Sequence, residues 1–168
     1  EQTIADPVAL VDPFIGTGGH GHTYPGATVP FGMVQLSPDT RKDGWDGCSG
    51  YHFSDSVIIG FSHTHLSGTG VSDYGDVLFM PMVDEAWSDL GTYGERGYPS
   101  RFKKSTEKAG AGWYNVHLEQ GNVDVELTAT TRCGLHRYTF TQDSGLVLID
   151  LNHRDRLLGS ELNVVNAT

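Results

Sequence analysis

The stretch "GWYNVHLEQGNVDVELTATTRCGLHRYTFTQDSGLVLID", residues 112–150, decides the fold. Tyr114, Val116 and Leu118 alternate with polar neighbours, and so do Val123, Val125, Leu127 and Ala129. Successive side chains of a strand point to opposite faces, so a period of two marks strands with one wet face. Gly110 and Gly112, then the Gln-Gly-Asn at 120–122, supply close turns, and further strands are predicted at 132–141 and 146–150 across a turn at 142–145. Upstream, apolar runs bounded by Gly, Pro, Ser or Asp predict strands at 29–36, 56–65 and 76–83. Short turns imply antiparallel pairing. One such sheet cannot bury its own apolar face, so the expected fold class is all-β, an antiparallel β-sandwich. Residues 154–165 read as a weak helical turn, and the acidic segment 84–97 reads as a surface loop.

The chain of 168 residues suffices for one domain with a core and is short for two. An apolar content of 38% with 19% charged residues fits a folded protein. The net charge of −10 argues against nucleic acid or an anionic membrane as partner. No apolar run approaches the roughly 18 to 20 residues of a membrane span. The chain starts without Met and without a basic-then-apolar leader, so the expectation is a secreted, periplasmic or cell-surface protein whose signal peptide is already removed. Its end at "SELNVVNAT" suggests the front piece of a longer protein. Cys48 and Cys133 could pair or stay free.

Chemistry-bearing residues gather between positions 12 and 81, which hold five of the eight histidines and more than half of the 22 glycines. Glycine loses the most conformational freedom on folding, so such density points to backbone held close to a ligand. His20/His22 and His63/His65 form His-x-His pairs, and on a strand such pairs share a face about 6.5 to 7 Å apart, which suits two ligands of one ion. Known metal motifs nonetheless break down: Ser67 and Gly68 stand where a metallo-β-lactamase-type motif needs Asp and His, and Gly26 stands where a cupin motif needs a carboxylate. Three readings stay open for these imidazoles: a transition metal, hydrogen bonding within a loop cluster, or donation to a polyhydroxylated ligand. "TGGHG" lacks the spacing and the Lys-Ser/Thr ending of a phosphate loop. In "GWDGCSGYH" (44–52) Trp45 could stack on a sugar or cap the core. Cys48 has no activating base in sequence, Asp73 and Asp76 could be simple loop acceptors, and no pair of carboxylates reads as an acid/base couple.

Taken together, "VDPFIGTGGHGHTYPGATVPFGMVQLSPDT" (11–40), "CSGYH" (48–52), "IIGFSHTHLSGTG" (58–70) and "DYGDVLFMP" (73–81) resemble the N-terminal domain of the family 92 glycoside hydrolases, calcium-dependent exo-α-mannosidases. "LIDLNHRD" (148–155) adds a weaker match. The resemblance implies a β-sandwich packed on a helical (α/α)6-barrel domain of the same protein, with the active site in the cleft between them. It implies inverting hydrolysis of terminal α-mannosides of glycans, with the general acid, the general base and most of the Ca²⁺ shell supplied by the helical domain. On that view the catalytic groups lie outside this chain, the isolated chain is inactive, and it holds no metal tightly itself. Its own part would be one wall of the mannose pocket. The substrate-binding candidates are Phe14, Thr17, Gly18, His20 and His22 in the 14–22 loop, Trp45, Asp46 and Cys48 in the following turn, and His63 and His65 at a strand end. Gly47 departs from the family members associated with α-1,2 linkages, which carry an aromatic there; other linkages become the expectation. The alternative is a free-standing sandwich that binds mannose-type sugars without cleaving them.

Overall fold

A computed structural model describes residues 6–83 and 98–166. In chain order the strands are β1 (Ala27–Thr28), β2 (Gln35–Asp39), β3 (Val57–Ile58), β4 (Gly60–Ser62), β5 (Leu78–Met82), β6 (Ser100–Arg101), β7 (Lys108–Gly110), β8 (Trp113–Leu118), β9 (Val123–Ala129), β10 (Gly134–Phe140) and β11 (Leu146–Asp150). One antiparallel sheet runs β1-β2-β4-β5-β11, a second runs β10-β9-β8-β7, and β3 pairs with β6 beside them. Short 3-10 turns at Pro7–Leu10, Trp45–Gly47 and Lys104–Thr106 are the helical elements among the described residues. None of the described helices is long and apolar enough to cross a membrane.

The alternation that decided the fold does so physically. Tyr114, Val116 and Leu118 of β8 and Val123, Val125 and Leu127 of β9 are buried. They join Leu36, Phe61, Leu78 and Met80 from the other sheet in one core. Each such apolar side chain contributes roughly 1.5–3 kcal/mol when fully removed from water. The β8–β9 hairpin pairs Leu118 with Val123, and its turn places Gly121 and Asn122 at φ 73° and 53°. Glycine and asparagine tolerate that left-handed region best.

Apolar runs upstream mark strands less faithfully. The 29–36 run is mostly a turn: the Gly32 amide bonds to the Val29 carbonyl at 2.9 Å, Phe31 is fully exposed with φ 58°, and the ladder starts only at Gln35. The 56–65 run divides at Ile59 between β3 and β4, which pair with different partners. The strand expected at 76–83 begins at Leu78, after Val77 at φ 52°. Residues 154–165 contain no helical turn. The loop expected at 84–97 lies outside the described residues. Both cysteines are free, Cys48 buried and Cys133 exposed.

Candidate functional site

Three segments distant in sequence meet: the 14–22 loop, the Trp45–Gly47 turn and residues 67–71. The loop folds back on itself so tightly that a Cβ on Gly21 would lie 2.0 Å from the Gly16 carbonyl oxygen, which only glycine permits. The Gly68 amide then bonds to the His22 carbonyl at 2.8 Å, locking the loop to the third segment. His22 is held at φ 55°, an uncommon conformation for a residue with a side chain.

His22 is buried, and its Nδ1 lies 2.8 Å from the Thr69 carbonyl. A carbonyl only accepts, so Nδ1 carries the hydrogen and Nε2 points to Asp46 Oδ1, 3.4 Å away. His20 Nδ1 reaches the same oxygen at 2.7 Å. The hydrogen bond from His20, followed by that from His22, holds the Asp46 carboxyl below its ordinary range. Trp45 meets the His22 ring edge-on, with centroids 5.0 Å apart, and lies against Gly70, where a Cβ would come within 2.4 Å of the indole. Yet 61% of Trp45 is exposed, so it caps no core and presents an aromatic face beside two imidazoles and a carboxylate. That combination of flat apolar surface and polar rim is what binds a sugar ring.

The other candidates divide between support and separation. Phe14 packs edge-on against Phe53, Thr17 is buried with its hydroxyl donating to the Phe14 carbonyl at 2.8 Å, and Gly18 is exposed. Cys48 is buried, its thiol donating to the Thr69 carbonyl that also takes His22, and burial pushes its pKa up. That is the opposite of an activated nucleophile. Gly47 is buried, and a Cβ there would sit 3.3 Å from Arg41, which is fixed by Asp55 at 2.7 Å.

His63 and His65 part company because β4 ends at Ser62. His65 turns inward, its Nδ1 donating to the Gln35 carbonyl at 2.7 Å and its Nε2 lying 3.1 Å from Asp39 Oδ1. His63 goes the other way, to Phe79 and His136. Buried Asp39, which lies between His65 and His153, and buried His153 itself were not among the sequence candidates. "LIDLNHRD" was the one signal that could have drawn attention to His153.

Comparison with known proteins decides the family. The sequence model of the glycosyl hydrolase family 92 N-terminal domain matches residues 10–168. The chain belongs to glycosyl hydrolase family 92. Among solved structures, a family 92 α-mannosidase of Bacteroides thetaiotaomicron, determined in complex with mannoimidazole, is 42% identical with a TM-score of 0.82, over 87% of this chain and 20% of that one. A family 92 inverting mannosidase of the same organism is 27% identical with a TM-score of 0.71, over 89% of this chain and 20% of that one. An uncharacterized secreted glycosidase of Arthroderma benhamiae is 28% identical over 160 residues, which are 89% of this chain and 20% of the relative. This family 92 chain thus spans about a fifth of the length of these relatives.

Proposed function

We propose that this chain forms one wall of the mannose pocket in an inverting exo-α-mannosidase acting on terminal α-mannosides of glycans. The observation that carries the reading is the 42% identity, at a TM-score of 0.82, to an α-mannosidase solved with a mannose-like ligand. The geometry says how this chain would contribute: Trp45 stacks on a sugar face while the His20–Asp46 edge bonds to hydroxyls. In inverting hydrolysis one carboxylic acid protonates the leaving oxygen while a carboxylate activates water on the opposite face. Asp46 is engaged by two imidazoles and serves as an acceptor, so both catalytic groups would come from a helical domain outside this chain. A secreted relative and the extracellular occurrence of glycans support an extracytoplasmic location.

Calcium, which the family resemblance implies, does not suit the metal-capable side chains that converge among the described residues. Ca²⁺ takes six to eight oxygen ligands. Among the described residues, the group of three metal-capable side chains that converges is His20, His22 and Asp46, two nitrogens and one carboxylate. That group would not hold a calcium ion, and we place the calcium shell mainly in the helical domain.

The test is hydrolysis of an aryl α-mannoside by the full-length protein, with the anomer of the first product followed by NMR. Release of β-mannose is expected; release of α-mannose, or binding of the sugar without turnover, refutes the proposal. In the same assay Trp45→Ala should lower kcat/KM about tenfold, as loss of a stacked ring worth about 1 to 1.5 kcal/mol predicts. Its unfolding midpoint should stay near wild type because the ring is mostly exposed. Wild-type kinetics in the variant would place the sugar elsewhere.

A further inference from the structure

His20, His22 and Asp46 bring three metal-capable atoms to one point. The His22 Nδ1 hydrogen is committed to the Thr69 carbonyl, which leaves Nε2 facing the Asp46 carboxylate oxygen 3.4 Å away. His20 Nδ1 adds a third donor atom on the same oxygen, and the three ligand atoms lie within 4.8 Å of one another.

From this we infer that His20 Nδ1, His22 Nε2 and Asp46 Oδ1 form a binding site for one borderline divalent cation, with Zn²⁺ as the ion the donor set suits. Zn²⁺ binds imidazole nitrogen and carboxylate oxygen at about 2.0–2.2 Å, which puts neighbouring tetrahedral ligands about 3.4 Å apart. The His22–Asp46 separation is already 3.4 Å. The His20–Asp46 separation of 2.7 Å must widen, and the proton on His20 Nδ1 must move to Nε2. Both changes are easy because the His20 side chain is 79% exposed, so its ring can shift and its Nε2–H can bond to water. The bond from His22 to Thr69 is the outer-shell device that fixes the tautomer of a metal-bound imidazole and aims its free nitrogen. Two nitrogens and one oxygen favour Zn²⁺ and its first-row neighbours over Ca²⁺ or Mg²⁺. Three protein ligands leave a fourth position beside Trp45 for water or a sugar hydroxyl.

The experiment is a Zn²⁺ titration of the chelator-stripped full-length protein in competition with a chromophoric chelator, without glycoside. One Zn²⁺ per chain is expected with a Kd in the micromolar range or below. His20→Ala and Asp46→Asn should each weaken it about tenfold or more. His20 is exposed enough that its loss leaves the fold intact, and Zn²⁺ should raise the melting temperature of wild type more than that of His20→Ala. Excess Ca²⁺ should not displace the ion. Absence of binding below millimolar Zn²⁺, undiminished binding in both variants, or displacement by Ca²⁺ would each overturn the site. Metal binding is read with no sugar present, so failure here leaves the mannosidase reading standing.

Discussion

Glu107→Ala should destabilise the protein by about 3–5 kcal/mol, the usual effect of removing one partner from a buried charged pair. Glu107 is buried, and its Oε1 accepts hydroxyl hydrogens from Tyr51 at 2.8 Å and Tyr114 at 2.7 Å. Its Oε2 takes the Lys104 ammonium at 3.0 Å, while Lys104 also donates to the Tyr51 oxygen at 2.7 Å. Burial first, and the Glu107 charge second, push both phenols up, so they remain neutral donors at any pH the fold survives. Truncation leaves two buried hydroxyls and a half-buried ammonium without their acceptor, and such orphaned groups cost far more than an average hydrogen bond contributes. Glu107→Gln keeps the volume but aims an amide N–H₂ at groups that only need acceptors, so it should lose part of the same stability. Urea unfolding with an unchanged slope gives the measurement. A loss under 1 kcal/mol for the alanine variant would mean the phenols find other acceptors. Because Tyr51 belongs to the segment that carries Trp45, the variant should also loosen the candidate sugar face.

The Glu107 network shows why part of this protein is legible in its sequence and part is not. β8 and β9 could be read directly, because each strand's alternation records which face is buried and a short turn names the partner. The run at 29–36 is equally apolar, but Val29 and Pro30 sit in a turn and Phe31 faces water. Composition does not reveal which neighbour a strand will find. His63 and His65 have the same spacing as His20 and His22; they diverge because β4 stops at Ser62, before either histidine, so the strand rule does not apply. Conversely, His20, His22 and Asp46 meet across a separation of 26 and 24 residues, which periodicity does not encode. The glycines were the legible trace of that meeting: Gly21 and Gly70 stand where backbone or indole leaves no room for a side chain. Resemblance to family 92 pointed to the same segments, and to those of Asp39, His65 and His153, without their geometry, while buried Glu107 had no local signature.

Acid should destabilise the protein by about 2–3 kcal/mol between pH 6.5 and 4 through one residue, His136. The structure assigns every proton in its surroundings. His63 Nδ1 lies 2.9 Å from the Val77 carbonyl and therefore donates, leaving its Nε2 as an acceptor for His136 Nε2–H at 3.1 Å. His136 Nδ1 in turn accepts from the Tyr138 hydroxyl at 2.7 Å, and Phe79 covers the pair of rings. A neutral His136 completes this chain. Burial, and then the neighbouring His63, lower its pKa from 6.5 to about 4. The unfolded chain thus binds a proton that the folded one refuses, so stability is full above pH 6.5 and falls as the pH drops toward 4. The gap between those two values corresponds to about 3 kcal/mol, reduced somewhat because the ring is not wholly enclosed. Asp39 acts in a separate window. Burial alone would raise its carboxyl, but His65, hydrogen-bonded to it at 3.1 Å, and His153, 3.8 Å away, outweigh that and hold it well below the usual carboxylate range. Its contribution is present above the unfolded carboxylate range and is lost only as the pH falls below about 4. Unfolding free energies measured at pH 7 and pH 4.5 therefore isolate the histidine. His136→Gln, which keeps a donor and an acceptor but does not titrate, should flatten the curve in that interval while leaving the loss below pH 4 in place. An unchanged slope in the variant would assign the acid sensitivity to another group and refute the proton chain through His63.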